Sequence, residues 1–455
     1  VFTAVAKVTE PPATGHIDEP VAAVNPNLSA SGYEEQEFFV SGTAHAFRGT
    51  STPPDGQWTI TPTTSAPYET RILVRRPSDP SKFNGTVIVE WMNVTAGETA
   101  ADWQFLNPML MREGFAWVGV SVQALAVNGG NPLINTPTGG SGPLAAEAAQ
   151  AVGGLVKADP SRYGSLHHPG DQYAYDIFDQ VGRAVRDEGR TILGGEKPSH
   201  VVAAGESQSA VFLTTYTNAI QPLSNTFDGI FIHSRFGGAP PISSGSITSG
   251  NIVTRIRTDL KVPVFMSETQ TDVIQFDYAS ARQPNTHRIR TWEVAGTSHA
   301  DAFLVGPALS FLGCTQQINT GPQHEVVQAG FTAFADWVKN GTPPPSPSPF
   351  KLRSTRPPAL ALDAHGNVIG GVRTPSVDVP ISTLSGATPP GASLVCSLFG
   401  TTIPFRPATL TALYGSEARY QQQYQRSLDD SIQGGYILGA DRASLVAMAQ
   451  QVAIP

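Results

Sequence analysis

Residues 200–216 constrain this chain most, because they set three elements end to end. His200-Val-Val-Ala-Ala reads as a buried strand, Gly205-Glu-Ser-Gln-Ser209 as a sharp turn, and the run from Ala210 to Tyr216 as the start of a helix. A strand reverses directly into a helix only where small residues flank the apex. Gly205, two before Ser207, and Ser209, two after it, meet that need and leave the Ser207 side chain exposed at the turn. This is the pattern of a nucleophile elbow, G-x-S-x-G, with serine in place of the last glycine. An ordinary strand-to-helix turn with a capping serine uses the same residue types, so the pattern gains meaning only from partners elsewhere in the chain.

Around the elbow, strand and helix patterns alternate. Residues 37–47 and 68–75 predict two antiparallel opening strands, with Pro53-Pro54-Asp55-Gly56 as a turn between them. Residues 85–91 and 115–122 are short apolar runs of the kind buried parallel strands show, and 99–113 has helical spacing stopped by Gly114. The 91–99 loop of that strand, helix, strand unit lies at the carboxyl end of its first strand, where open parallel sheets hold ligands. Further strands are predicted at 227–233, 262–267 and 288–294, and amphipathic helices at 173–188 and 325–339.

The expectation is therefore an α/β fold with a mainly parallel central sheet flanked by helices. Residues 1–36 read as an N-terminal arm and 37–340 as the core. A cap insertion falls at about 124–172, made of a Gly/Pro/Asn-rich loop (128–143) and an Ala-rich helix (144–155). Residues 341–455 form a C-terminal extension packed on the same domain. It is proline-rich at first, with a hairpin signal at Asp363-Ala-His-Gly-Asn367, then helical at 410–428 and 442–452.

Composition narrows the function. A net charge of -8, with no cluster of Lys and Arg, argues against nucleic acid and for a neutral or apolar small molecule. No apolar run approaches the length of a membrane helix, and a start without an initiator Met or a full signal peptide fits a processed mature form. The two cysteines, Cys314 and Cys396, form no CxxC pair, so a zinc or dithiol motif is absent. One long-range disulfide is expected, with two buried free thiols as the alternative, and this leans towards a secreted or periplasmic protein.

A serine hydroxyl is a weak nucleophile at neutral pH, so Ser207 needs a histidine base and an acid to orient it. Behind an elbow the chain order is Ser, acid, His. Asp272 follows the 262–267 strand by a few residues and is the favoured acid; Glu268, at the strand's end, is its competitor. His299 follows the last strand through Gly296 and is the expected base, although Asp301 is a possible local partner for it. His233 ends an earlier strand and reads as structural or pocket-lining. His167 and His168, adjacent in the cap, point in different directions and do not make a metal site. Negative charge on the reacting oxygen requires aimed N–H donors. The Gln208 backbone is one, and the other comes from Met92-Asn93-Val94, in the loop after the first parallel strand.

These residues resemble the α/β-hydrolase superfamily, and more narrowly a group of bacterial α/β-hydrolase-domain proteins. The narrower likeness rests on Thr70-Arg-Ile-Leu-Val-Arg-Arg-Pro77, Val89-Glu-Trp-Met-Asn93, Ser161-Arg-Tyr-Gly-Ser-Leu-His-His-Pro-Gly-Asp171, Tyr175-Asp-Ile-Phe178, Gly205-Glu-Ser-Gln-Ser209, Gly296-Thr-Ser-His299 and Gly370-Gly-Val-Arg-Thr-Pro375. The resemblance implies a hydrolase whose triad is Ser207, Asp272 or Glu268, and His299, and it needs no cofactor. Ester hydrolysis is the leading expectation, with acyl transfer, amide hydrolysis or a non-catalytic binding protein behind it. Trp91, Met92, Trp103, Phe236 and Phe303 stand near the predicted loops as pocket candidates, each with an alternative reading as core.

Overall fold

The alternating pattern near the N-terminus folds as a long antiparallel pair in the computed structural model, which describes residues 2–13, 27–134, 153–247, 251–306 and 313–455. A short strand β1 (Lys7–Thr9) edges β2 (Tyr33–Ser51), and β2 pairs with β3 (Thr59–Pro77). Both outrun the expected strands, because pairing continues beyond the apolar run: residues 59–67 of β3 are mostly exposed while 70–77 are buried. The predicted turn closes with the Gly56 N–H donating to the Pro53 carbonyl at 3.1 Å. Gly56 has φ +80, and a Cβ there would lie 2.3 Å from the Arg255 carbonyl oxygen, so only glycine serves.

The chain makes two compact units, residues 1–265 and 266–455. In the first, β4 (Thr86–Trp91), α1 (Ala101–Glu113), β5 (Ala116–Val120), β6 (His200–Glu206) and β7 (Gly229–His233) follow β3. The sheet order is β1-β2-β3-β5-β4-β6-β7. β3 meets β5 antiparallel, and β5, β4, β6 and β7 run parallel. Parallel strands covered on both faces need continuous apolar runs, and every residue of β4 and β5 is buried. α1 packs on β6, the helix Ala174–Asp187 on β2 and β6, and the helix Gln208–Ala219 on β6 and β7. α1 ends where the sequence predicts, at Gly114 in a left-handed conformation with φ 76.

Residues 135–152 of the expected cap, which include most of its Ala-rich helix, lie outside the described residues, as do residues 1 and 14–26 of the N-terminal arm. What is described of the cap includes Ala124–Asn128 and Pro160–Tyr163, short helices; the second is capped by Asp159, whose side chain accepts the Ser161 and Arg162 N–H groups.

The unit boundary falls inside the strand Val264–Glu268, which neighbours Ile289–Glu293. The second unit continues with the helix Gln323–Asn340, stopped by Gly341 at φ 78. Two antiparallel strand pairs follow, Leu352–Thr355 with Pro358–Leu360 and Ser382–Ser385 with Thr401–Pro404. The Asp363 to Asn367 hairpin forms as its sequence predicts. The helix expected over 410–428 is two helices, Pro407–Tyr414 and Glu417–Gln433. Gly415 takes φ 70 and the Ser416 hydroxyl caps the second helix, so a stop and a start signal lie inside one apolar pattern. Cys314 and Cys396 form a disulfide, their Cα atoms 5.5 Å apart. Among the described residues, no helix is long and apolar enough to cross a membrane.

Candidate active site

β6 ends at Glu206 and the next helix begins at Gln208, leaving Ser207 alone between them at φ 57, ψ −119. Holding a residue with a side chain in such a region costs about 1–3 kcal/mol, so neighbouring structure must overdetermine it. The Ser207 N–H donates to the His233 carbonyl at 2.9 Å, and the Ser207 carbonyl accepts the Val211 N–H at 3.0 Å. A Cβ at Gly205 would come within 3.1–3.2 Å of Ser209 backbone and side-chain atoms, which explains the small residues on both sides. Ser209 is fully buried and its hydroxyl has no hydrogen-bond partner among the described residues. Its small volume fits the turn; its polarity serves nothing there.

The loop after β4 is tied down from several directions. Asn93 and Thr99 exchange backbone hydrogen bonds at 2.8 and 2.7 Å. The Asn93 amide donates to the Glu206 carbonyl at 3.2 Å and accepts the Thr95 N–H at 2.7 Å. Val94 donates its N–H to the Gln208 Oε1 at 3.1 Å. Glu98, further along, receives Arg71 at 2.7 Å, and Arg71 also reaches Glu37 and the Tyr163 hydroxyl, both at 3.3 Å. Arg162 closes this network on Glu37 at 2.6 Å. Removing one partner of a buried network like this leaves an uncompensated charge, a loss of about 3–5 kcal/mol.

Glu90 plays a role that the sequence reading missed. Its carboxylate accepts the Asp102 and Trp103 N–H groups at 3.0 and 2.9 Å and the Trp117 indole N–H at 2.7 Å. A strand residue thus caps α1, whose own N-cap, Ala100, has no side chain to do so. Burial pushes the Glu90 carboxyl well above the usual range, and neighbouring Asp102 adds to the rise. The only sequence signal is an acid inside an otherwise apolar strand.

In the second unit, His299 Nδ1 stands 2.6 Å from Asp272 Oδ1. Asp272 is held by a capping box: its Oδ2 accepts the Thr269 N–H and hydroxyl, each at 2.7 Å, at the start of the helix Gln270–Ile274. His299 donates its backbone N–H to the Thr271 hydroxyl at 3.1 Å, and the Gln270 side chain accepts the Gly296 N–H at 2.7 Å. The acid's helix and the histidine's loop are therefore laced together. Phe276 sets its ring against the His299 imidazole, centroids 4.8 Å apart and nearly perpendicular. The backbone at Gly386 braces the pair, since a Cβ there would lie 2.6 Å from the Thr297 carbonyl oxygen and 2.7 Å from the Thr271 nitrogen. Glu268, the alternative acid, is fully buried, and its backbone carbonyl accepts the Val294 N–H at 2.8 Å. Asp301 instead caps the short helix after His299, accepting the Leu304 N–H at 2.9 Å.

A second histidine and carboxylate pair lies behind the elbow: His233 Nδ1 is 2.9 Å from Asp102 Oδ1. His233 is fully buried, with Phe105 and Phe231 packed edgewise on its ring. Ser234, one residue on, has φ 56 and a buried hydroxyl with no partner among the described residues. His168 Nε2 donates to the Val122 carbonyl at 2.8 Å while its Nδ1 accepts the Gly170 N–H at 3.2 Å, the bonding of a neutral structural ring. His167 bonds the Ser165 carbonyl at 3.2 Å. Among the described residues, no group of three or more His, Cys, Asp or Glu is arranged to hold a metal ion.

Of the pocket candidates, Trp91 is fully buried and stacks on Phe212 at 5.5 Å, Met92 is buried beside it in sequence, and Trp103 is fully buried under the Arg75 guanidinium at 4.7 Å. These three belong to the core of the first unit. Phe236 and Phe303 are half-buried, and Phe303 lies flat on His324 with centroids 3.8 Å apart.

The family described as alpha/beta hydrolase domain matches residues 8–447. No curated relative matches. Among solved structures, the chain is similar to the esterase Est22 at 13% identity and TM-score 0.32, covering 64% of this chain and 81% of that one. It is similar to a thermostable esterase from Pseudomonas putida ECU1011 at 11% identity and TM-score 0.28, covering 60% and 76%. A glucuronoyl esterase from Solibacter usitatus matches at 8% identity and TM-score 0.29, covering 64% and 85%.

Proposed function

The chain belongs to the alpha/beta hydrolase domain family, and on that footing we propose that it is a serine hydrolase of carboxylic esters. The observation that carries this reading is Ser207, a residue with a side chain held at φ 57, ψ −119 between a buried strand and a buried helix. A fold that keeps serine in so costly a conformation has a use for its hydroxyl.

In the proposed reaction Ser207 Oγ attacks the acyl carbon, and His299 takes the hydroxyl proton. Because Asp272 binds Nδ1, Nε2 is the nitrogen left for proton transfer, and Asp272 fixes that tautomer and stabilises the imidazolium. The carbonyl electrons move to oxygen, then return as the alcohol leaves with the His299 proton. Water, deprotonated by His299, then attacks the acyl carbon, and as the bond to Ser207 Oγ breaks His299 returns that proton to the serine oxygen and the acid leaves. Acyl transfer or amide hydrolysis would use the same groups and differ only in acceptor or leaving group. The Cys314–Cys396 disulfide supports an oxidising, secreted or periplasmic setting, and the net charge of -8 supports a small neutral ester over a polyanion.

The test is intact mass and peptide mapping after a fluorophosphonate probe, with Ser207→Ala as control. One adduct on Ser207, lost in the variant, is expected together with turnover of a p-nitrophenyl ester. Folded protein that takes no adduct would overturn the reading in favour of a non-catalytic binding protein.

A further inference from the structure

Both donors that the loop after β4 would offer to an oxyanion are already committed. The Asn93 N–H binds the Thr99 carbonyl at 2.8 Å, and the Val94 N–H binds Gln208 Oε1 at 3.1 Å. The Asn93 side-chain amide is held on the Glu206 carbonyl at 3.2 Å. A backbone N–H only donates, so the carboxamide atom facing Val94 is the oxygen and the Gln208 NH2 turns the other way. That NH2 has no partner among the described residues and is not sealed off from solvent. Its residue directly follows the nucleophile and opens the helix Gln208–Ala219, whose positive end favours negative charge.

We propose that Gln208 supplies both oxyanion donors, its backbone N–H and its side-chain NH2, and that Val94 serves to orient the carboxamide. The inference rests on the serine-hydrolase reading. When Ser207 Oγ bonds to the acyl carbon, the carbonyl electron pair passes to the oxygen, which these N–H groups stabilise without forming a covalent bond. Glutamine differs here from most other side chains because it accepts from the loop with one atom and donates with the other. A rigid carboxamide, oriented before the charge develops, needs no reorganisation during the reaction.

The rival arrangement has the Gln208 side chain covering Val94 only at rest and withdrawing so that the Val94 N–H becomes the donor. Gln208→Ala separates the two, because it removes the side-chain donor and uncovers Val94. With Gln208 as donor, kcat on a p-nitrophenyl ester falls on the order of 10²–10³-fold while KM changes little. With Val94 as donor, kcat stays at the wild-type level or rises, which overturns the proposal. Gln208→Glu provides a near-isosteric second variant: it still accepts from Val94 but lacks the NH2, and its kcat is expected to fall at least as far. Circular dichroism and the thermal midpoint establish that each variant is folded. Fluorophosphonate labelling of the wild type distinguishes the two levels of failure. An unlabelled wild type overturns the hydrolase reading and the donor assignment with it, whereas a labelled wild type beside a fully active Gln208→Ala overturns the donor assignment alone.

Discussion

The carboxylate of Asp272 faces two ways, taking His299 Nδ1 on one oxygen at 2.6 Å and capping its own helix through Thr269 with the other. The capping box fixes the carboxylate before any imidazolium forms. Asp272→Asn keeps the volume but presents an amide whose N–H can force the wrong imidazole tautomer. A loss of about 10⁴-fold in kcat is expected, read from ester hydrolysis at neutral pH. Glu268→Gln is expected to leave most of the activity, and the reverse ranking would transfer the acid's role to Glu268.

The contact between Gly205 and Ser209 yields a prediction on stability. Ser209→Ala removes a buried hydroxyl that has no partner, so chemical denaturation should show the variant as stable as the wild type or more stable by about 1 kcal/mol. Gly205→Ala drives a Cβ to 3.1–3.2 Å from Ser209, and overpacking of that kind costs about 1–3 kcal/mol. An unchanged midpoint for Gly205→Ala would show that the elbow yields more readily than its packing implies.

Glu325, in the first turn of the helix Gln323–Asn340, has its carboxyl pushed up to about 8 by burial, with Asp301 and Asp441 adding to the rise. The folded protein holds this proton where the unfolded chain has already lost it. Stability from this group is therefore full below about pH 4.5 and declines until pH reaches about 8, where the folded group ionises too. Glu325→Gln keeps the neutral form. It should match the wild type near pH 4 and exceed it at pH 8 by on the order of a few kcal/mol, measured by urea titration at each pH. Neighbouring His324, lowered to about 4 by burial, acts in the opposite sense as pH falls and is common to both proteins.

The disulfide closes a loop of 82 residues within the second unit. On the chain-entropy account, that restriction of the unfolded state is worth about 4.5 kcal/mol. A Cys314→Ser, Cys396→Ser double variant should show a lower denaturant midpoint by that order. The wild type in reductant should approach the variant's midpoint.

Local chemistry made much of this protein readable in advance. The elbow was visible because a strand can turn into a helix only through small residues, and the parallel strands because burial on both faces demands unbroken apolar runs. Gly56, Gly114 and Gly341 marked their turns and stops, since left-handed backbone selects glycine. The apolar spacing over 410–428 predicts one helix, but Gly415 and Ser416 inside it carry a stop and a start signal that divide it in two.

Other features depended on residues far apart in the chain. Arg71, Glu37, Glu98 and Tyr163 stand in four separate stretches and form one buried network. Glu90 reads as an anomaly in an apolar strand until α1 brings its open N–H groups to it. Gln208 reads as the residue after a serine until Val94 turns its carboxamide around. By itself the sequence determined periodicity, turns and the candidate nucleophile, because these follow from interactions between near neighbours. Only the tertiary structure decided which buried polar group meets which, because a hydrogen bond depends on distance and direction, and spacing along the chain encodes neither.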